Sequence, residues 1–359
     1  MSVSENAPPI DDAAAAGRSP GPGAADQLRR IWTHRQRREQ VRLIQIVGVT
    51  GLLCLLPLFA SGGYQFTVLG LMLIYAIAGV GFYLILGMSG QFAFSHGATL
   101  GIGAYSAAYA ARSHGFWLSL IFAVVVCAVV STVIKLVLWR ASDFYFGIAT
   151  LGFASVAVIV MRSWTAFTGV ASDAQMNTTP TVFGWKVDSA ERYYWFFIPF
   201  FVVGVLIVYF LRSSAIFRES VAVRDKPLTA AGLGIRNTRN QLIIYVIGSC
   251  YAGAAGALYA QSQGFISSTS FDLNLGINLF VVVIVGGMQS MWGPLVGAAF
   301  VEVFPEVIRS AQTHRPLILA LILPLTVVLM PEGLMGIAKP LRRLIGWAVR
   351  SVRTRQVRT

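Results

Sequence analysis

Residues 212–240 read RSSAIFRESVAVRDKPLTAAGLGIRNTRN, and they interrupt two long apolar runs, FVVGVLIVYFL (201–211) before and QLIIYVIGSCYAGAAGALYA (241–260) after. The stretch carries Arg212, Arg218, Arg224, Lys226, Arg236 and Arg239. So basic a loop between two apolar segments is a positive-inside signal and places 212–240 on the cytoplasmic face of a membrane. Helical spacing from Phe217 to Leu233 sets Ser220, Val221, Arg224 and Leu228 on one stripe, with Pro227 as a kink or break. Gly234 then offers a residue free to turn left-handed, where a helix can stop. Two readings stand. An anchor needs only positive charge, whereas a docking element needs the shape of Leu228, the forked hydrogen bonds of Arg224 and the backbone freedom of Gly234.

Working outward, 56% of the 359 residues are hydrophobic and 12% charged, which excludes a soluble globule. The apolar residues come in runs of about 20, the length of a bilayer-crossing helix. Backbone amides in lipid must be satisfied within their own segment, so the expected fold is all-α: a polytopic membrane bundle of about 8–10 transmembrane or re-entrant segments. The short alternating strands of a membrane barrel are absent from the sequence. The expected segments are 43–60, 67–87, 91–111, 116–139, 145–161, 193–211, 241–260, 275–288, 292–308 and 317–330. If all ten cross, both termini and 212–240 lie inside, and Arg112, Arg162, Lys186, Arg192, Arg309 and Arg315 are the basic residues left outside. That asymmetry agrees with the orientation. Segments 91–111 and 292–308 are glycine-laced and can equally be re-entrant.

The chain divides into a cytoplasmic tail at 1–42, a permease-like bundle at 43–337 and a basic cytoplasmic tail at 338–359. Residues 1–28 are rich in Ala, Pro, Gly and Asp and are expected to be disordered. Arginines crowd 29–42, too long a charged lead for a signal peptide, so no cleavage is expected. The net charge of +13 sits in the tails and the central loop, so it orients the chain and attracts anionic lipid; no nucleic-acid partner is expected.

Little chemistry is written into the chain. No G-x-x-x-x-G-K-[ST] phosphate loop occurs, the four histidines share no ligand spacing, and Cys54, Cys127 and Cys250 lie scattered in apolar runs. No nucleophile, base and orienter form a recognisable set, so no enzyme is expected and no cofactor is expected on this chain. Ionisable groups within the bundle are few: His96, Glu302 and, at the outer boundary, Glu306. A carrier driven by protons or sodium usually needs more, which favours an external motor over a stand-alone secondary transporter or channel. His96 reads equally as a packing or a pathway residue. Gly90 with Gly97-x-x-x-Gly101 has a counterpart in Gly287 with Gly293-x-x-x-Gly297, as two broken segments of a repeat or as two packing faces.

Several stretches taken in order resemble the LivM-like permeases of branched-chain amino-acid ABC importers. Gly90-Gln91, His96, Gly97 and Gly101-Ile102-Gly103-Ala104-Tyr105 fit one family segment, and Tyr145, Thr150, Leu151 and Phe153 a second. Arg218, Ala222, Arg224, Asp225, Leu228, Ala230, Leu233, Gly234 and Ile235 fit the loop that docks an ATPase. Ala252-Gly253 with Ala255–Ala260, then Gly286-Gly287, Trp292-Gly293-Pro294 and Gly297-Ala298, and finally Pro331, Gly333-Leu334 and Gly336 complete the series. There are departures: Asp225-Lys226-Pro227 where acidic residues are usual, Gln289 for a common glycine, Met330 and Glu332 for basic residues, and Val170-Ala171-Ser172-Asp173 for a glycine-rich external motif. The resemblance implies a permease subunit in a bacterial inner membrane, carrying branched-chain amino acids or another small polar solute. It implies as partners a second homologous permease, two cytoplasmic ABC ATPases that hold ATP and Mg, and an extracytoplasmic solute-binding protein. It implies coupling residues Arg218, Arg224, Asp225, Leu228 and Gly234. Pathway or helix-packing roles fall to Gln91, His96, Gly97, Gly101, Thr150, Gly293, Gly297 and Glu302.

Overall fold

The computed structural model describes residues 45–59, 62–141, 143–163, 173–175, 181–182, 185–307 and 333–336. The described residues divide into two units, one up to Leu56 and one from Pro57. In the first, helix α1 (Gln45–Leu55) is described, with Thr50 Oγ1 donating to the Ile46 carbonyl at 2.8 Å. The expected segment 317–330 and both tails lie outside the described residues.

Among the described residues of the second unit, five helices are long and apolar enough to cross a membrane: Gly63–Met88, Phe116–Val137, Phe144–Ser163, Ala190–Leu211 and Asn237–Gln263. The first comprises α2 (Gly63–Phe82) and a wider π turn, Tyr83–Met88. Then come α3 (His96–Ala111), α4 (Phe116–Val137), α5 (Asp143–Ser163) and α6 (Ala190–Leu211). Two short helices follow, α7 (Ala215–Asp225) and α8 (Pro227–Gly232), and then the longest, α9 (Asn237–Gln263). The described chain continues through α10 (Leu273–Gly286), α11 (Gly293–Ala298), a second π turn (Ala299–Val303) and α12 (Phe304–Val307). The chain is an all-α, polytopic membrane bundle.

Helix α4 shows why these segments want lipid. Ile121, Val125, Val129, Val133 and Val137 recur every four residues and are all exposed, giving an apolar outer stripe. Its inner face carries Ser119, Ala123, Cys127 and Ser131. Apolar outside and small or weakly polar inside inverts a soluble helix, as expected where the solvent is hydrocarbon.

The core is built around α9, which packs on α2, α3 and α4. Gly248, Ala252, Gly253, Ala255, Gly256 and Ala257 are buried along it. A Cβ placed on Gly103 of α3 would stand 2.7 Å from Gly253 Cα, and one on Gly248 would stand 2.6 Å from the Gly81 carbonyl of α2. The helices therefore touch backbone to backbone, which only glycine permits.

Two expected boundaries are corrected. Segment 91–111 is helical only from His96, and 91–95 form an irregular entry. The π turn that continues α2 ends at Met88, and Gly90 follows at φ 73. Segment 292–308 is likewise not uniform, since the π turn widens it mid-way. In parallel, α10 ends before Gly287 at φ 114, and α11 starts six residues later at Gly293. Both glycines follow the end of one helix and precede a shorter one.

The two ends of the bundle are distinct. At one end, β1 (Asp173–Gln175) pairs antiparallel with β4 (Phe265–Ser267), and β2 (Thr181–Val182) pairs with β3 (Trp185–Lys186). These join two loops expected outside, and there Tyr64 OH also donates to the Glu306 carboxylate at 3.0 Å. At the other end Gly87 meets Met288, Gly333 meets Gly287, and α7 lies beside the π turn at Tyr83–Met88.

Candidate functional site at the broken helix ends

The central loop folds as two helices because of three residues. Ser214 accepts from the Phe217 amide at 3.3 Å and caps the start of α7. Pro227 has no N–H to give and disfavours helical geometry at Lys226, which sits at φ −147, ψ 79, so α7 stops. Pro227 then opens α8 as its first residue. Gly234, at φ 81, ends the pair, while the Ile235 amide returns to the Ala230 carbonyl at 3.1 Å.

The chain breaks at Pro227, where a kink or break was expected, and this divides the stripe. Ser220 is buried and donates to Asn240 Oδ1 of α9 at 2.9 Å, fastening α7 to the long helix. Leu228, on the other side of the break, points away and is 88% exposed. Leu233 is 77% exposed. Beside it an open groove of about 550 Å3 is lined by Ile216, Glu219, Leu233, Arg236 and Arg239. Arg218 turns back on the loop, its Nη1 donating to the Ser213 carbonyl at 3.0 Å.

Arg224 faces inward. Its Nη1 donates to the Gly87 carbonyl at the end of the α2 π turn. Its Nε and Nη2 meet Asp225 Oδ1 at 2.9 and 2.8 Å. The side-chain stem lies over Gly90, where a Cβ would approach Arg224 Cγ to 2.8 Å. Sequence reading missed Gly87 and Asn240 as partners of this loop; their separation along the chain gives no local signal.

The irregular entry 89–95 is tied down residue by residue. Gln91 Nε2 donates to Ser89 Oγ at 2.7 Å and to the Gln241 carbonyl at 3.1 Å, while its Oε1 is buried with no hydrogen-bond partner. The Phe94 amide donates to Thr150 Oγ1 at 3.2 Å, and Thr150 in turn donates to the Gly147 carbonyl at 2.8 Å. Ser95 and Tyr245 hydroxyls are 3.1 Å apart. His96 is buried, its ring stacked on Phe82 at 5.1 Å, with Nε2 donating to the Ala78 carbonyl at 3.0 Å.

The four expected glycines divide. Gly97 meets the Gly276 backbone of α10, Gly293 meets Gly286, and Gly297 meets Val282, all backbone to backbone. Gly101 instead makes room for side chains, Phe271 at 2.7 Å and Met161 at 3.2 Å from its added Cβ. Glu302 lies on the second π turn, half-buried, within electrostatic reach of Tyr75 and Tyr259. Among the described residues no group of three or more His, Cys, Asp or Glu could hold a metal ion.

Residues 64–330 match the family described as "Branched-chain amino acid transport system / permease component". The chain is 27% identical over 299 residues to the high-affinity branched-chain amino acid transport system permease protein LivM of Salmonella typhimurium, covering 76% of this chain and 70% of that protein. The Escherichia coli K12 LivM is 27% identical over 301 residues, with the same coverage. The E. coli K12 permease LivH is 24% identical over 287 residues, covering 73% of this chain and 91% of that one. No solved structure matches the chain.

Proposed function

This chain belongs to the permease components of branched-chain amino acid transport systems, and from that premise we propose that it passes a branched-chain amino acid or a related small polar solute across a bacterial inner membrane. It is a multi-pass membrane transport component and not an enzyme. In this reading it works with a second, related permease, two cytoplasmic ABC ATPases that hold the ATP and Mg, and an extracytoplasmic solute-binding protein. The α7–α8 loop is the surface the ATPases press on, and the entry around Gln91, His96 and Thr150, with Glu302, borders the route.

The observation that carries this reading is the exposure of Leu228 and Leu233 on a loop where Phe217 and Val223 are buried and Ile216, Val221 and Ile235 partly so. Anchoring by charge alone gives these two leucines no role, whereas a docking helix can seat them in an apolar pocket, where fully burying a leucine contributes about 1.5–3 kcal/mol. Leu228→Asp is the test, with uptake, membrane expression and co-purification of the ATPase measured together. Normal expression with lost uptake and weakened ATPase capture is expected. A variant that still binds the ATPase and still transports reduces the loop to an anchor.

A further inference from the structure

We infer that Arg224 is the transmission contact of this permease: a positioning residue that fastens α7 to the broken end of α2, and not a contact to the ATPase. The inference rests on the reading that α7–α8 docks a motor, and it says where the push goes next.

The geometry runs in three links. A helix end leaves its last carbonyls without intrahelical donors. Past the α2 π turn, the Ile85 and Leu86 carbonyls recover partners in the Gln91 and Gly90 amides, at 3.1 Å each. The Gly87 carbonyl takes the Arg224 guanidinium instead. The second link is Asp225, which holds the same guanidinium from the other side and fixes its plane. The third is Gly90, whose left-handed backbone and missing Cβ leave the channel in which the Arg224 stem lies. Displacement of α7 is therefore delivered to Gly87–Gly90 by a short, charge-assisted contact rather than through the flexible loop. From there the neighbours are the Met288 turn between α10 and α11, which touches Gly87, and Gln91, which is bonded to the first turns of α9. One contact thus reaches both broken segments.

The guanidinium reaches the carbonyl with Nη1 and the carboxylate with Nε and Nη2, a spread that the single nitrogen of lysine does not cover, so lysine does not replace arginine here. The side chain is 26% exposed, against 56% for Asp225, so little of it is left for a partner surface.

The test uses the whole transporter, permeases with their ATPases and binding protein, reconstituted in vesicles. Solute taken up per ATP hydrolysed is measured beside ATPase capture and thermal stability. Arg224→Gln and Arg224→Lys are expected to keep ATPase capture within twofold while uptake per ATP falls at least tenfold. Asp225→Asn frees the guanidinium without removing it and is expected to give a milder fall in the same ratio; it serves as the second variant should Arg224→Gln be unstable. Gly90→Ala should lower the same ratio with ATPase capture kept within twofold. Loss of ATPase capture in Arg224→Gln would make the residue a partner contact and overturn the inference, as would full coupling in Arg224→Gln. Unchanged capture in Leu228→Asp overturns the docking reading instead, so the two failures are told apart.

Discussion

Replacing Gly97 by alanine adds one carbon at the crossing of α3 and α10, and the structure says what that carbon meets. Its Cβ would stand 2.5 Å from the Gly276 nitrogen, 2.9 Å from Gly276 Cα and 3.1 Å from the Leu275 carbonyl carbon. All three are backbone atoms, so no side chain can swing aside. To reach the 3.4 Å at which ordinary contact begins, the helices must part by roughly 0.9 Å, in an interior that is close-packed. Overpacking of this kind costs about 1–3 kcal/mol. Gly152→Ala is the matched control, because its Cβ meets nothing within 4 Å on the exposed side of α5, and there alanine should gain about 0.5–1 kcal/mol of helix preference. The reporter is Cys127, whose buried thiol donates to the Thr99 carbonyl at 3.3 Å between α4 and α3. With exposed Cys54 and half-buried Cys250 replaced by serine, a thiol-reactive dye reads the opening of α3 from α4 on heating. At roughly 2–4 °C per kcal/mol, Gly97→Ala should melt several degrees below the parent and Gly152→Ala at or above it. If the two variants melt together, the backbone contact does not hold these helices.

Two further outcomes follow from the ends of the bundle. Gly234 sits at φ 81 with no atom within 4 Å of an added Cβ, so Gly234→Ala should suffer only the left-handed penalty of about 1–2 kcal/mol, lowering uptake with expression intact; Gly234→Asn, which tolerates that backbone, should restore uptake, and failure to do so refutes the conformational argument. Gln175 and Phe265 are directly opposed across the β1–β4 ladder, within disulfide reach, so cysteines placed there should oxidise to a crosslink and, when reduced, react with a membrane-impermeant maleimide in whole cells; protection of both would overturn the outside assignment of that end.

What the sequence showed and hid follows from the range of the forces involved. Hydrocarbon length and composition are local, so the long helices α2, α4, α5, α6 and α9 were readable to within a few residues. The breaks were also local where glycine marks them, as at Gly90, Gly234 and Gly287. The entry 91–95 was not, because its residues, QFAFS, are apolar enough for a helix; the bonds that hold it irregular come from Gln241 and Thr150, far along the chain. Arg224 illustrates the same limit. Its position in the loop was plain, but its partner lies 137 residues away, and spacing alone put it on a stripe with Leu228 that Pro227 had already divided. The strand β4 was invisible for a like reason, since three residues of FIS become a strand only when Asp173–Gln175 pairs with them.

The position of α9 in the chain has a consequence for how the protein is made. Its glycine-lined surface closes against α2, α3 and α4, all of which leave the ribosome earlier. At about 5–20 residues per second, on the order of ten seconds separate the end of α3 from the arrival of α9. Through that interval Gly81 and Gly103 have no helix to rest on, and lipid chains cannot follow a groove cut to the width of a backbone. The half-built bundle must wait with its deepest surfaces open. A defect in the α9 glycines would therefore appear as chains cleared from the membrane before assembly, and a transporter counted only by its turnover would give no hint of where it was lost.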